Sequence, residues 1–123
     1  MPDQIVRSAG HALRGLVSAW RSERNIRLFL CGFIAVIVVL LWLSVSLLDL
    51  VVVIVSALVF LAVELINTAI ERVVDALDEH LKKDHQAENF VALKSAKDIA
   101  ASASLVCLLA FGVIVGVVVW GYV

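Results

Sequence analysis

Residues 28–48 limit the fold more than any other stretch, because no charged side chain interrupts them. A helix needs about 20 apolar residues to cross the ~30 Å hydrocarbon core of a bilayer, and this run supplies them. Residues 50–62 form a second uncharged run, and residues 99–123 a third. Inside a bilayer no water satisfies the backbone, so such runs must close their hydrogen bonds internally, as helices do. Composition agrees. Apolar residues make up 63% of the 123 residues and mean hydropathy is +1.05, against an apolar share of about half in soluble domains.

Charge placement sets the expected orientation. All ten lysines and arginines fall within residues 7–27 and 72–97. Cytoplasmic segments of membrane proteins are rich in Lys and Arg, so both basic regions are expected inside the cell. The expectation is an all-α integral membrane protein in one domain, residues 1–123. An amphipathic surface helix spans residues 1–25, and transmembrane helices span 28–48, 50–71 and 99–121. The amino terminus is cytoplasmic. A net charge of −1 gives no electrostatic case for nucleic acid. Cys31 and Cys107 lie inside apolar runs without metal-type spacing and read as packing residues.

The amino-terminal segment places Ile5, Ala9, Leu13, Leu16 and Trp20 on one helical face, with Arg7, Arg14 and Arg21 every seven residues on another. Such a helix lies in the interfacial plane. It acts either as an anchor alone or as a wall over a site, bringing Arg7, Arg14 or Glu23 with it. His11 faces either that site or the headgroups. Ser44, Ser46 and Asp49 make a short turn on the far side of the membrane. Residues 78–94 are a polar connection, in which His80, Asp84 and His85 are the candidates for a metal site against the alternative of a solvated linker.

The second apolar run does not stay apolar. Glu64, Asn67, Glu71 and Asp75 follow it, and at 100° per residue they fall within roughly 80° of arc on one helix. A carboxylate at the end of a hydrocarbon-spanning helix calls for a reason. The third crossing begins at the same level with Lys97 and Asp98, and Glu23 stands at the start of the first. Carboxylates with few protein ligands suit Mg²⁺, which keeps waters and shares phosphate oxygens. Lys97 suits phosphate as a point charge. Glu64 suits a general base for a hydroxyl. A site at the bilayer edge takes one substrate from lipid and one from water, which points to metal-assisted phosphoryl transfer onto a membrane alcohol. No GxxxxGK[ST] loop and no HRD or DFG motif occurs, so a nucleotide must bind among helix ends. Two other readings use the same stripe. It can bind helices together, or one intramembrane Glu can couple protons in a subunit like a small multi-drug transporter. That second design usually has four crossings and a mid-bilayer acid.

The block Glu64-Leu65-Ile66-Asn67-Thr68-Ala69-Ile70-Glu71 with Asp75, the later block Ala96-Lys97-Asp98-Ile99-Ala100-Ala101-Ser102-Ala103, and the earlier Arg7-Ser8, Ala12, Gly15-Leu16 and Glu23-Arg24-Asn25 resemble the small bacterial membrane lipid kinases, the diacylglycerol kinase/undecaprenol kinase family. The resemblance covers most of the chain in order. It implies ATP-dependent phosphorylation of a lipid hydroxyl by a homotrimer in the bacterial plasma membrane, with sites between subunits. By the same resemblance Glu64 is the general base, and Glu23 and Glu71 hold the nucleotide's Mg²⁺. Asn67, Asp75, Lys97, Asp98, Arg7 and His11 are the candidate ATP and phosphate contacts. The Glu23-Arg24-Asn25 block resembles the undecaprenol-kinase branch, which often carries a histidine where this chain has Phe29. The acceptor stays open between undecaprenol and diacylglycerol.

Overall fold

The computed structural model describes residues 2–83 and 90–123. They form four helices: α1 (Pro2–Ser22), α2 (Arg24–Trp42), α3 (Leu47–Lys83) and α4 (Phe90–Trp120). Three of them, α2, α3 and α4, are long and apolar enough to cross a membrane. No strand occurs among the described residues. Asp84 and His85 of the expected connection lie outside them.

Helix α1 is amphipathic, as the seven-residue spacing of its arginines requires. It ends at a single residue, Glu23, whose backbone is extended (φ −96°, ψ 112°). Arg27 reaches back from the first turn of α2 and donates to the carbonyls of Trp20 (3.1 Å) and Arg21 (2.8 Å). Those carbonyls belong to the last turn of α1 and have no intrahelical partner, so Arg27 caps the corner.

Helix α2 stops at Trp42 rather than continuing to Leu48. The reason is local. Ser44 takes a left-handed φ of 52°, its N–H donates to Leu41 O (3.1 Å), and Val45 N–H donates to Leu40 O (3.2 Å). This is a Schellman ending, and Val45 packs against the core cluster that includes the buried Leu40. Helix α3 then begins at Leu47, earlier than Leu50. Ser46 caps it, with its Oγ accepting from Asp49 N–H at 3.1 Å.

The end of α4 closes on this turn. Tyr122 Oη accepts from Ser46 N–H (2.9 Å) and donates to Asp49 Oδ2 (2.7 Å). Ser46 Oγ donates to the same carboxylate oxygen at 2.6 Å. One phenol thus ties the carboxyl-terminal end of the chain to the α2–α3 turn. Replacing Tyr122 with Phe is expected to lower the thermal midpoint of unfolding in detergent while helix content stays native. An unchanged midpoint would show that the tie contributes nothing.

Helices α3 and α4 pack along their length, while α1 and α2 touch α3 over shorter stretches. The core is Leu40, Val53, Ala57, Phe111 and Val118. Phe29 joins three helices: its ring lies 4.2 Å from Phe60 on α3 and 5.3 Å from Phe111 on α4, centroid to centroid. Large apolar side chains elsewhere face outward, among them Trp42 and Trp120 at the far ends of α2 and α4. In a bilayer those faces meet lipid.

Candidate active site

Helix α3 runs past the apolar zone as one uninterrupted element, so its polar residues inherit a fixed rotation about the axis. Glu64 and Asn67 are buried, Glu71 is half-buried and Asp75 is exposed. The stripe therefore climbs from the interior to the surface. Asn67 Nδ2 donates to Glu71 Oε1 at 3.3 Å, an i to i+4 contact that confirms the common face.

Helix α4 runs antiparallel beside this stripe. Ser104 Oγ donates to Glu64 Oε2, and further along Lys97 Nζ meets Asp75 Oδ1 at 2.7 Å. Two openings result. One, of about 540 Å³, has Glu64, Asn67, Glu71, Ser104 and Asn25 as its polar wall and Leu28, Phe29, Phe60, Leu105 and Leu108 as its apolar wall. That volume falls in the range of small-ligand sites, about 300–1,000 Å³. The other, of about 360 Å³, is lined by Asp75, Asp78, Lys94, Lys97 and Asp98 with Val74 and Leu93. Glu71 and Asp78 also lie close enough to Lys97 to act on its charge.

The Lys97–Asp75 pair is largely exposed, and exposed ion pairs add little stability. Its value is positional. It keeps an ammonium beside the stripe, where an incoming anion can compete for it.

Glu23 is not part of this group. Its Oε1 accepts from Ser22 Oγ at 2.8 Å and faces Arg72 Nη2 at 3.9 Å. Arg72 also donates to Ser18 (3.0 Å) and Ser22 (2.6 Å). One residue beyond Glu71 is a rotation of 100°. Arg72 therefore turns to α1 while Glu71 turns to α4, and Glu23 goes with Arg72. Arg7 and His11 lie on α1, outside both openings. Arg7 is exposed, and His11 Nδ1 lies 2.9 Å from Arg14 Nη2. Of the nine candidates, the structure brings together Glu64, Asn67 and Glu71 in one opening and Asp75, Lys97 and Asp98 in the next.

Ser104 was not a candidate from sequence. A signal existed: it stands seven residues after Lys97, hence on the same face of α4. It was hidden in a run of small residues that reads equally well as helix packing.

A divalent ion can be tested against these side chains. Among the described residues no three His, Cys, Asp or Glu side chains converge into a ready-made cage. Magnesium does not need one, since it is held by one or two carboxylates together with substrate phosphates. Asn67 Oδ1 is buried without a hydrogen-bond partner. An orphaned acceptor costs about 1–3 kcal/mol unless something donates to it or coordinates it. The nitrogen of the same carboxamide, rather than this oxygen, faces the Glu71 carboxylate. Carboxylate and carboxamide oxygens are both hard donors of the kind that magnesium takes.

The sequence matches the prokaryotic diacylglycerol kinase family over residues 10–119. It is 30% identical to the diacylglycerol kinase of Escherichia coli (strain K12) over 117 residues, which is 95% of this chain and 85% of that protein. The diacylglycerol kinase of Shigella flexneri matches to the same extent.

Proposed function

The chain belongs to the prokaryotic diacylglycerol kinase family and is a multi-pass membrane lipid kinase; from that premise we propose that it transfers the γ-phosphoryl group of ATP to the hydroxyl of diacylglycerol or undecaprenol at the cytoplasmic edge of the membrane. The observation that carries this reading is one opening with two kinds of wall. Its apolar residues receive the lipid chain, and its carboxylates meet the hydroxyl at the end of that chain.

The roles follow from position. The lipid hydroxyl lies against the Glu64 carboxylate, which takes its proton as the hydroxyl oxygen bonds to the γ-phosphorus. The bond from that phosphorus to the bridging oxygen breaks, and ADP leaves with the electron pair. Glu64 releases its proton to water in the next cycle. Lys97, held beside the stripe by Asp75, binds the phosphate chain by exchanging one anion for another. Asp98 lines the same opening and orients the nucleotide with it. Glu71 and the Asn67 carbonyl oxygen would hold magnesium, which neutralises phosphate charge when bound.

Glu23, Arg7 and His11 stand apart within one protomer. Their proposed parts, Glu23 on the metal and Arg7 and His11 on the nucleotide, therefore belong to a homotrimer, in which α1 of one copy lies over the opening of the next. The concentration of Lys and Arg in residues 7–27 and 72–97 supports a cytoplasmic amino terminus. Crosslinking in native membranes should end at three copies, and a monomer that remains active would overturn the shared site.

The test of function is an acceptor panel. Diacylglycerol, undecaprenol and ceramide are presented in mixed micelles with Mg-ATP. Phosphate is expected on at least one of the first two, and EDTA should abolish the transfer. Transfer to none of the three, or transfer unaffected by EDTA, would overturn the reading.

A further inference from the structure

Resting on Glu64 as the general base, we propose that Ser104 is the positioning residue that aims its carboxylate at the acceptor hydroxyl. The two side chains are 6% and 5% exposed, and they meet between α3 and α4, forty residues apart in sequence. Two other serines of the packed helices α3 and α4 return their proton to their own backbone. Ser102 donates to Asp98 O at 2.7 Å and Ser56 to Val53 O at 2.8 Å. Ser104 instead directs its one donor across the bundle to Glu64 Oε2.

The choice of partner matters. Asn67, the neighbour on the same face, gives its amide to Glu71 rather than to Glu64. No other described side chain donates to the Glu64 carboxylate, so Ser104 alone fixes its rotation. A glutamate has three rotatable side-chain bonds, and free rotation would scatter its oxygens through the opening. Pinning Oε2 leaves Oε1 for the acceptor. A hydroxyl suits this task better than an ammonium. A cation at that place would hold the carboxylate charged and weaken it as a base, whereas a neutral donor orients it without a counter-charge. Correct orientation of a reacting pair is itself a large part of catalysis.

The test compares Ser104→Ala, Ser104→Thr and Glu64→Gln in micelles at saturating ATP, with helix content checked by circular dichroism. Ser104→Ala is expected to lower kcat roughly tenfold or more, the loss of one hydrogen bond to a charged group, while KM for lipid and ATP stays within about twofold. Ser104→Thr, which keeps the hydroxyl, should recover most of the rate. A fully active Ser104→Ala beside an inactive Glu64→Gln overturns this inference and leaves the base in place. A Ser104→Thr variant of native helix content that is as impaired as Ser104→Ala also overturns it. An active Glu64→Gln overturns the assignment of the base itself, and the positioning role with it.

Discussion

Glu64→Gln is expected to lower kcat by about 10³-fold, with little change in KM for either substrate. General base catalysis contributes about 10²–10⁴-fold, and the substitution removes it cleanly. The introduced carboxamide has the same shape, and its oxygen still accepts from Ser104 Oγ, the one polar side-chain contact of Glu64 among the described residues. Packing around the buried position is therefore kept, and the variant should retain native helix content and thermal midpoint. Initial rates of lipid phosphate formation at saturating substrates decide the matter. A rate within a few-fold of wild type would remove Glu64 from the chemistry. A rate loss accompanied by loss of helix would point to folding instead, and the shorter Glu64→Asp separates the two. It keeps the charge but draws it back from Ser104, so it should retain part of the activity.

The second large effect belongs to Glu71. Glu71→Gln is expected to lower kcat/KM for ATP at least a hundredfold at fixed magnesium, with partial recovery as magnesium is raised. A carboxylate that binds a metal supplies charge as well as geometry, and a carboxamide supplies only a weak dipole. The hydrogen bond from Asn67 Nδ2, 3.3 Å long, survives because the amide oxygen accepts it. The defect should therefore be one of metal and nucleotide affinity rather than of fold. Titration of activity against free magnesium separates this from the Glu64 defect, which no magnesium concentration should repair. An unshifted magnesium curve would assign Glu71 a structural part only.

The polar stripe was the most legible part of the site. Its geometry depends only on 100° per residue and an unbroken α3, and both hold. The three crossings were legible for the same kind of reason, since long uncharged runs have few alternatives in a bilayer. Helix ends were less so. Ser44, Ser46 and Asp49 mark a turn, but the uncharged run reaches Leu48 and so draws the crossing past the true helix end. The exact break depends on Ser44 adopting a left-handed conformation, which favours glycine and is not announced when serine takes it. The helical start of α4 at Phe90 was likewise unmarked, because residues 90–98 mix apolar and charged side chains.

Contacts between helices were the least legible. Glu23 and Glu71 stand at similar depth, and depth is what hydropathy reports. Which side of α3 receives α1 is decided by Arg72, whose guanidinium gathers Ser18, Ser22 and Glu23. Nothing in a single sequence says that an arginine one residue past the stripe will win that carboxylate. Ser104 shows the opposite case. Its spacing from Lys97 marks the right face, but a hydroxyl among alanines has an equally good explanation in close helix packing.

The decisive question is whether phosphate passes from nucleotide to lipid through the opening between α3 and α4. The direct measurement uses ATP labelled in the γ-phosphate, purified protein in lipid-containing micelles, and extraction of the organic phase. The expected result is label in a lipid monophosphate, formed only with lipid acceptor and divalent metal, and absent with Glu64→Gln. Label that stays in water as free phosphate, or a labelled lipid that forms equally well with Glu64→Gln, would contradict it.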